Sequence, residues 1–222
     1  MNVSFIEFLA KNDAIRFGEF TLKSGRNSPY FIDMGVLSTG AQSAQLGQYY
    51  AQLIKEKFGE NFDVVFGPAY KAIPIAISSV IALANQGINK KWLYDRKEMK
   101  IHGADSNSVF VGSQTLDHGQ RVILVDDVMT TGGTKIDAIE KVNKTLKCEV
   151  VGIVIAVDRM EKAYRMSAMD EFKEKTGIPV YAIENINNIF TYLSEHSVDG
   201  TKYVDRETFE NYKTYMRKYG SI

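Results

Sequence analysis

Short apolar runs alternate along this chain with longer stretches in which apolar residues return every three or four positions. The runs are Val64-Val65-Phe66, Trp92-Leu93-Tyr94, Val122-Ile123-Leu124-Val125, Val151 to Val157 and Val180 to Ile183. Runs this short and this apolar predict strands buried on both faces. Between them lie amphipathic stretches. Ala44 to Phe58 places Leu46, Tyr49, Tyr50, Leu53 and Ile54 on one side, and after Gly67-Pro68 closes the first run a second helical stretch follows through Leu83. A third carries Ile136, Ile139, Val142 and Leu146, followed by a polar helix around Asp170 to Lys175 and another over Ile186 to Leu193. Strand and helix in alternation predict right-handed crossovers and an α/β fold, a doubly wound, mostly parallel sheet flanked by helices. Ligands of such sheets bind beyond the carboxyl ends of the strands, so the loops after the runs are where chemistry belongs.

The two ends depart from this rhythm. Ser4 is placed to cap a short helix, Glu7 completes a capping box, and Phe5, Phe8 and Leu9 share a face. Phe17 to Lys23 alternates loosely, Ser24-Gly25-Arg26-Asn27-Ser28-Pro29 is a turn signal, and Tyr30-Phe31-Ile32 reads as extended. Together they predict a hairpin-like hood or lid outside the main sheet. Asp205 to Tyr219 is amphipathic, with Phe209, Tyr212, Tyr215, Met216 and Tyr219 near helical spacing and Gly220 as its stop. That aromatic stripe is expected in a core or an interface. With no repeat, low-complexity tract or linker, the expected organisation is one domain over 1–222. The hood spans about 1–38, the core about 39–200 and the C-terminal helix about 201–222.

Composition narrows the function classes. The 222 residues are 45% hydrophobic and 24% charged, ordinary values for a globule with a real core. Lys plus Arg and Asp plus Glu both number 27, giving a formal net charge of +0, which argues against general nucleic-acid binding. The single cysteine, Cys148, forms no internal disulfide and sits in an apolar stretch, as a buried small hydrophobe does. The longest near-apolar stretches, Ala72 to Leu83 and Val150 to Val157, fall short of the roughly 18–20 residues of a membrane span. Met1 to Phe5 lacks the basic start of a secretory signal. A cytoplasmic protein without a membrane partner is expected.

The richest stretch follows the third run. Asp126 and Asp127 stand at its carboxyl end, then Val128, Met129, Thr130, Thr131, Gly132, Gly133 and Thr134 lead into a helix near Lys135. Small residues let backbone N–H groups close round an anion, threonines add donors, and a helix start adds partial positive charge. A phosphate fits the loop, while the carboxylates suit neighbouring sugar hydroxyls or a magnesium ion. A plain βα turn with an aspartate cap explains an Asp-Asp pair alone but not the whole pattern. Neither a Walker A loop nor G-x-G-x-x-G is present. Arg96, Lys97, Lys100 and His102 crowd cations into seven positions, and the small residues Gly103 to Ser108 follow, as in a lid that closes over an anion. Tyr70 and Lys71 follow Gly67-Pro68, and Lys71 reads equally as a ligand residue or a solvated helix-start lysine. Lys23 ends an alternating strand and has the same two readings. Arg159, just after Val157-Asp158, offers a guanidinium for a planar carboxylate. His118 and His196 lie in polar turns and are expected at the surface.

The Asp126 to Thr134 stretch resembles the 5-phosphoribosyl-1-pyrophosphate (PRPP) motif of the type I phosphoribosyltransferases. Phe20 to Arg26 with Ser28 to Phe31, Gly67 to Pro74, and Tyr94 to Gly103 resemble, in that order, further blocks of the orotate-using branch. The resemblance implies transfer of ribose 5-phosphate from PRPP to orotate, giving orotidine 5'-monophosphate and pyrophosphate in pyrimidine biosynthesis. It implies Mg2+ held mainly by PRPP rather than by protein ligands. By resemblance, Lys97, Lys100 and His102 stabilise the departing pyrophosphate beside Arg96, Tyr70 and Lys71, and Asp126 and Asp127 hold the ribose. Val128, Met129 and Thr130 to Thr134 form the 5'-phosphate loop. Lys23 reaches both substrates, and Phe31, Ile32, Thr130 and Arg159 receive orotate. A homodimer whose catalytic loop serves the neighbouring subunit is also implied. Ala104 stands where the family more usually has Glu, and Gly132-Gly133-Thr134 where one glycine is common. The rival readings are a sister enzyme using another base and a PRPP-sensing regulator without catalysis.

Overall fold

A computed structural model describes residues 1–22, 25–98 and 109–221. The hood is an antiparallel pair, β1 (Ile15–Thr21) and β2 (Asn27–Ile32), preceded by α1 (Val3–Lys11). The core sheet has six strands in the order β5-β4-β3-β6-β7-β8. They are β3 (Val64–Phe66), β4 (Lys91–Asp95), β5 (Phe110–Val111), β6 (Arg121–Val128), β7 (Glu149–Asp158) and β8 (Val180–Asn185). All pairings are parallel except that of β5 with β4. The helices are α2 (Gly40–Phe58), α3 (Ala72–Ala84), α4 (Gly133–Leu146), α5 (Ala168–Thr176), α6 (Ile186–Glu195) and α7 (Arg206–Tyr219). This is the expected α/β, mostly parallel sheet flanked by helices.

Period-two geometry explains why the apolar runs have no polar face. Along β6, Ile123 and Val125 enter one core with α1, α2, α3, α6 and the hood, while Val122 and Leu124 enter a second core with α4 and α5. Gly47 lets α2 and α3 approach closely, since a Cβ there would collide with the Ser78 carbonyl. Tyr212 and Tyr215 of α7 are buried against β2, so the aromatic stripe is core. Cys148 is buried. Among the described residues no helix is long and apolar enough to cross a membrane.

Two local expectations are corrected, and one strand is added. Asn2, not Ser4, caps α1, its side chain accepting the Phe5 N–H; Glu7 instead accepts the Tyr192 hydroxyl. The complete capping box belongs to α2, where Thr39 and Gln42 bond reciprocally, so that helix starts earlier than its apolar residues suggest. The two-residue edge strand β5 carries too little pattern to be seen in sequence.

Candidate active site

Because β6 is central, its carboxyl end opens between those of β3 and β7. The strand continues through Asp126 and Asp127 to Val128, so both carboxylates are fixed by the sheet rather than by a loop. Asp127 accepts the Val128 N–H at 2.7 Å, and the Tyr50 hydroxyl donates to the Asp126 carbonyl at 2.7 Å. Burial and the neighbouring Asp126 charge push the Asp127 carboxyl above the usual aspartate range, while Lys135 and Lys71 pull it down. Beyond the strand, Thr130, Thr131, Gly133 and Thr134 are exposed while Met129 and Gly132 are buried. Gly132 has φ +75°, and a Cβ there would lie 2.6 Å from the Phe172 ring, so the turn into α4 requires glycine. The result is a loop with exposed hydroxyls at a helix N-terminus, a geometry suited to a phosphate.

Lys135 is the residue at this site that sequence reasoning passed over. Only 4% exposed, its ammonium donates to Asp126 Oδ2 at 2.6 Å and to the Val128 carbonyl at 2.8 Å. It thereby fixes the Asp126 carboxylate and closes the loop from behind. Its spacing to Ile139 and Val142 on the buried face of α4 was the available signal: a lysine on an apolar stripe needs an internal partner.

Around this centre the structure gathers several of the other expected residues. Tyr70 is 63% exposed after β3, and Lys71 at the start of α3 pairs with Asp33 at 2.7 Å, linking the hood to the core. The ammonium of exposed Lys97 lies 4.7 Å from the centre of the Tyr70 ring. Arg96 and Val109 are joined by an N–H to carbonyl bond of 2.8 Å, which ties together the two ends of the segment between them. Asp95 anchors that point, accepting from the Ala69 N–H and the Lys141 ammonium, both at 2.8 Å. Lys23, Lys100 and His102 lie outside the described residues. His118 and His196 are exposed.

The base-reading candidates sit beside the hood. Phe31 and Ile32 lie on opposite faces of β2: Ile32 points into the core, while Phe31 packs on Phe20 with the Arg16 guanidinium 5.4 Å from its ring centre. Arg159 is 5% exposed, with its guanidinium 4.7 Å from the centre of the Tyr30 ring. Its Nε and Nη2 donate to Glu161 Oε1 at 3.0 and 2.7 Å. Glu161 and its contacts with Tyr30 and Tyr215 were not anticipated, since their proximity comes only from the fold.

Residues 36–180 match the family described as "Phosphoribosyl transferase domain", which defines the class. The chain is 42% identical to orotate phosphoribosyltransferase of Bifidobacterium adolescentis, covering 98% of this chain and 96% of that protein. It is 39% identical to that of Agathobacter rectalis, covering 97% and 96%. The crystal structure of the Francisella tularensis orotate phosphoribosyltransferase superposes with a TM-score of 0.80 at 40% identity, over 98% of this chain and 100% of that one. The chain belongs to the orotate phosphoribosyltransferase family.

Proposed function

We propose that the protein transfers the 5-phosphoribosyl group of PRPP to orotate, releasing orotidine 5'-monophosphate and pyrophosphate in the making of UMP. The observation that carries this reading is the strand-fixed Asp126–Asp127 pair beside the open Thr130–Thr134 loop. The loop's N–H groups and hydroxyls receive the 5'-phosphate, and the two carboxylates accept the ribose hydroxyls. The anomeric carbon loses its bond to pyrophosphate oxygen and gains one to a ring nitrogen of orotate, passing through an oxocarbenium-like ribose. Carboxylates on the sugar and cations on the leaving group favour that charge separation. Lys71, Arg96, Lys97, Lys100 and His102 act on the pyrophosphate, with Tyr70 beside them and Lys23 reaching in from the hood. Arg159, Thr130 and the hood residue Phe31 receive orotate; Ile32, expected beside them, instead packs in the core behind the hood because it faces the other side of β2. Orotate reacts as its anion, so no general base is assigned.

When bound, Mg2+ would be held mainly by PRPP and would neutralise part of its charge. Asp126 and Asp127 are the carboxylates that would stand beside it. We also infer a cytoplasmic homodimer with the Arg96–His102 loop serving the neighbouring site. An apolar groove of about 870 Å³ between α2 and α3, lined by Ala44, Pro74, Ile77 and 56%-exposed Ile81, supports this inference. It lies on the helix that begins beside Lys71, so a second copy seated there would stand next to the site.

Two experiments test the reading. Lys100→Ala should lower turnover about 100-fold while PRPP affinity changes little; equal turnover would remove its assigned role. Mixing inactive Lys100→Ala and Asp127→Asn subunits should restore activity on subunit exchange if the loop is shared, and no recovery would refute the sharing.

A further inference from the structure

Outside the PRPP site, the most heavily engaged carboxylate among the described residues is Glu161. Its Oε1 accepts from Arg159 Nε and Nη2, from the Tyr215 hydroxyl at 2.8 Å and from the Tyr30 hydroxyl at 3.1 Å. Its Oε2 faces the Arg26 guanidinium at 3.6 Å. These groups come from the hood (Arg26, Tyr30), the segment after β7 (Arg159, Glu161) and α7 (Tyr215). Burial and the adjacent Glu161 charge push the Tyr215 hydroxyl up to about 12, so it stays a donor at neutral pH.

We propose that Glu161 is a positioning residue for orotate recognition: it clamps the Nε edge of Arg159 so that the opposite edge of the guanidinium is aimed at the substrate carboxylate. The proposal rests on the reading of Arg159 as the base-recognising group. An arginine stem has several rotatable bonds, and an unclamped guanidinium loses part of its binding free energy to ordering. Here the Tyr30 ring covers one face and Glu161 holds one edge, leaving the plane no rotation. Tyr30, Arg26 and Tyr215 in turn hold Glu161, so the hood and the C-terminal helix both bear on how orotate is read. The opposite role is also physically definite. Were Glu161 an internal competitor occupying the place of the orotate carboxylate, its neutralisation would tighten orotate binding.

Steady-state kinetics on the full chain separates these cases. Glu161→Gln retains an acceptor oxygen but no charge, and should raise the KM for orotate about 10-fold while leaving the KM for PRPP within about twofold. Glu161→Ala should raise the orotate KM further, so that Gln is a partial rescue of Ala. If Glu161→Ala does not fold, Tyr215→Phe, which removes one donor from the same oxygen, should raise the orotate KM about threefold. A lowered orotate KM in Glu161→Gln, or equal rises in both KM values, would overturn the proposal. Arg159→Ala distinguishes this failure from that of the underlying reading. If Arg159→Ala leaves the orotate KM unchanged, the reading of Arg159 fails; if it raises that KM while the Glu161 variants do not, only the positioning role fails.

Discussion

The two halves of the site are built in opposite ways. The half proposed to receive the 5'-phosphate is open: its threonines are exposed, and they belong to one continuous stretch, Thr130 to Thr134. The half proposed to read the base is closed: Arg159 is buried, ion-paired and covered by Tyr30. The difference matches the ligands proposed for the two halves. A phosphate is recognised by a shell of backbone N–H groups that one loop can supply. A planar carboxylate is recognised by a guanidinium whose orientation must be imposed from outside. The first kind of site draws its donors from one stretch of chain, whereas the second depends on three chain segments remaining together.

That contrast breaks most visibly at Gly132. Gly132→Val should displace the loop, because the residue needs a positive φ and its Cβ would strike Phe172. We expect kcat/KM for PRPP to fall about 1000-fold, with a lower melting temperature, as loop geometry and strain act together. Near-normal PRPP kinetics would show that the loop tolerates another shape. Next in size is Lys135→Met, which is close in length but uncharged. It leaves the buried side of Asp126 without its cation, and kcat/KM for PRPP should fall about 30-fold.

Lys135 also sets a pH dependence. In its proposed role Asp127 accepts ribose hydroxyls as a carboxylate, so kcat/KM for PRPP should fall as pH drops through its pKa, which burial and the Asp126 charge hold above the usual aspartate range. Lys135 pulls that pKa down, so Lys135→Met should move the acid limb to higher pH. A limb that stays in place, or moves to lower pH, would mean another group controls it. The smallest effect is expected at Tyr70: replacing it with Leu removes the ring beside Lys97, and turnover should fall only about twofold to fivefold.

How much of this was legible in sequence tracks how local each feature is. The sheet strands other than β5, the helices and the Asp126–Thr134 loop were visible, because each is a contiguous pattern whose period or residue chemistry states its role. The cap of α1 was misplaced because Asn2 and Ser4 are both able cap residues two positions apart. Lys135 was readable in principle as a charge on an apolar stripe. Glu161 was not, because nothing near it in sequence points to Tyr30 or Tyr215, which are 131 and 54 residues away. Its partners meet only once α7 has packed on the hood.

The central claim is tested most directly by following the loss of orotate absorbance with PRPP and Mg2+, beside parallel reactions with uracil, hypoxanthine and xanthine. Consumption of orotate alone, with one pyrophosphate released per orotate lost, is the predicted result. Consumption of a different base would leave the PRPP half standing and contradict the assignment of Arg159. PRPP binding without turnover of any base would contradict transfer itself.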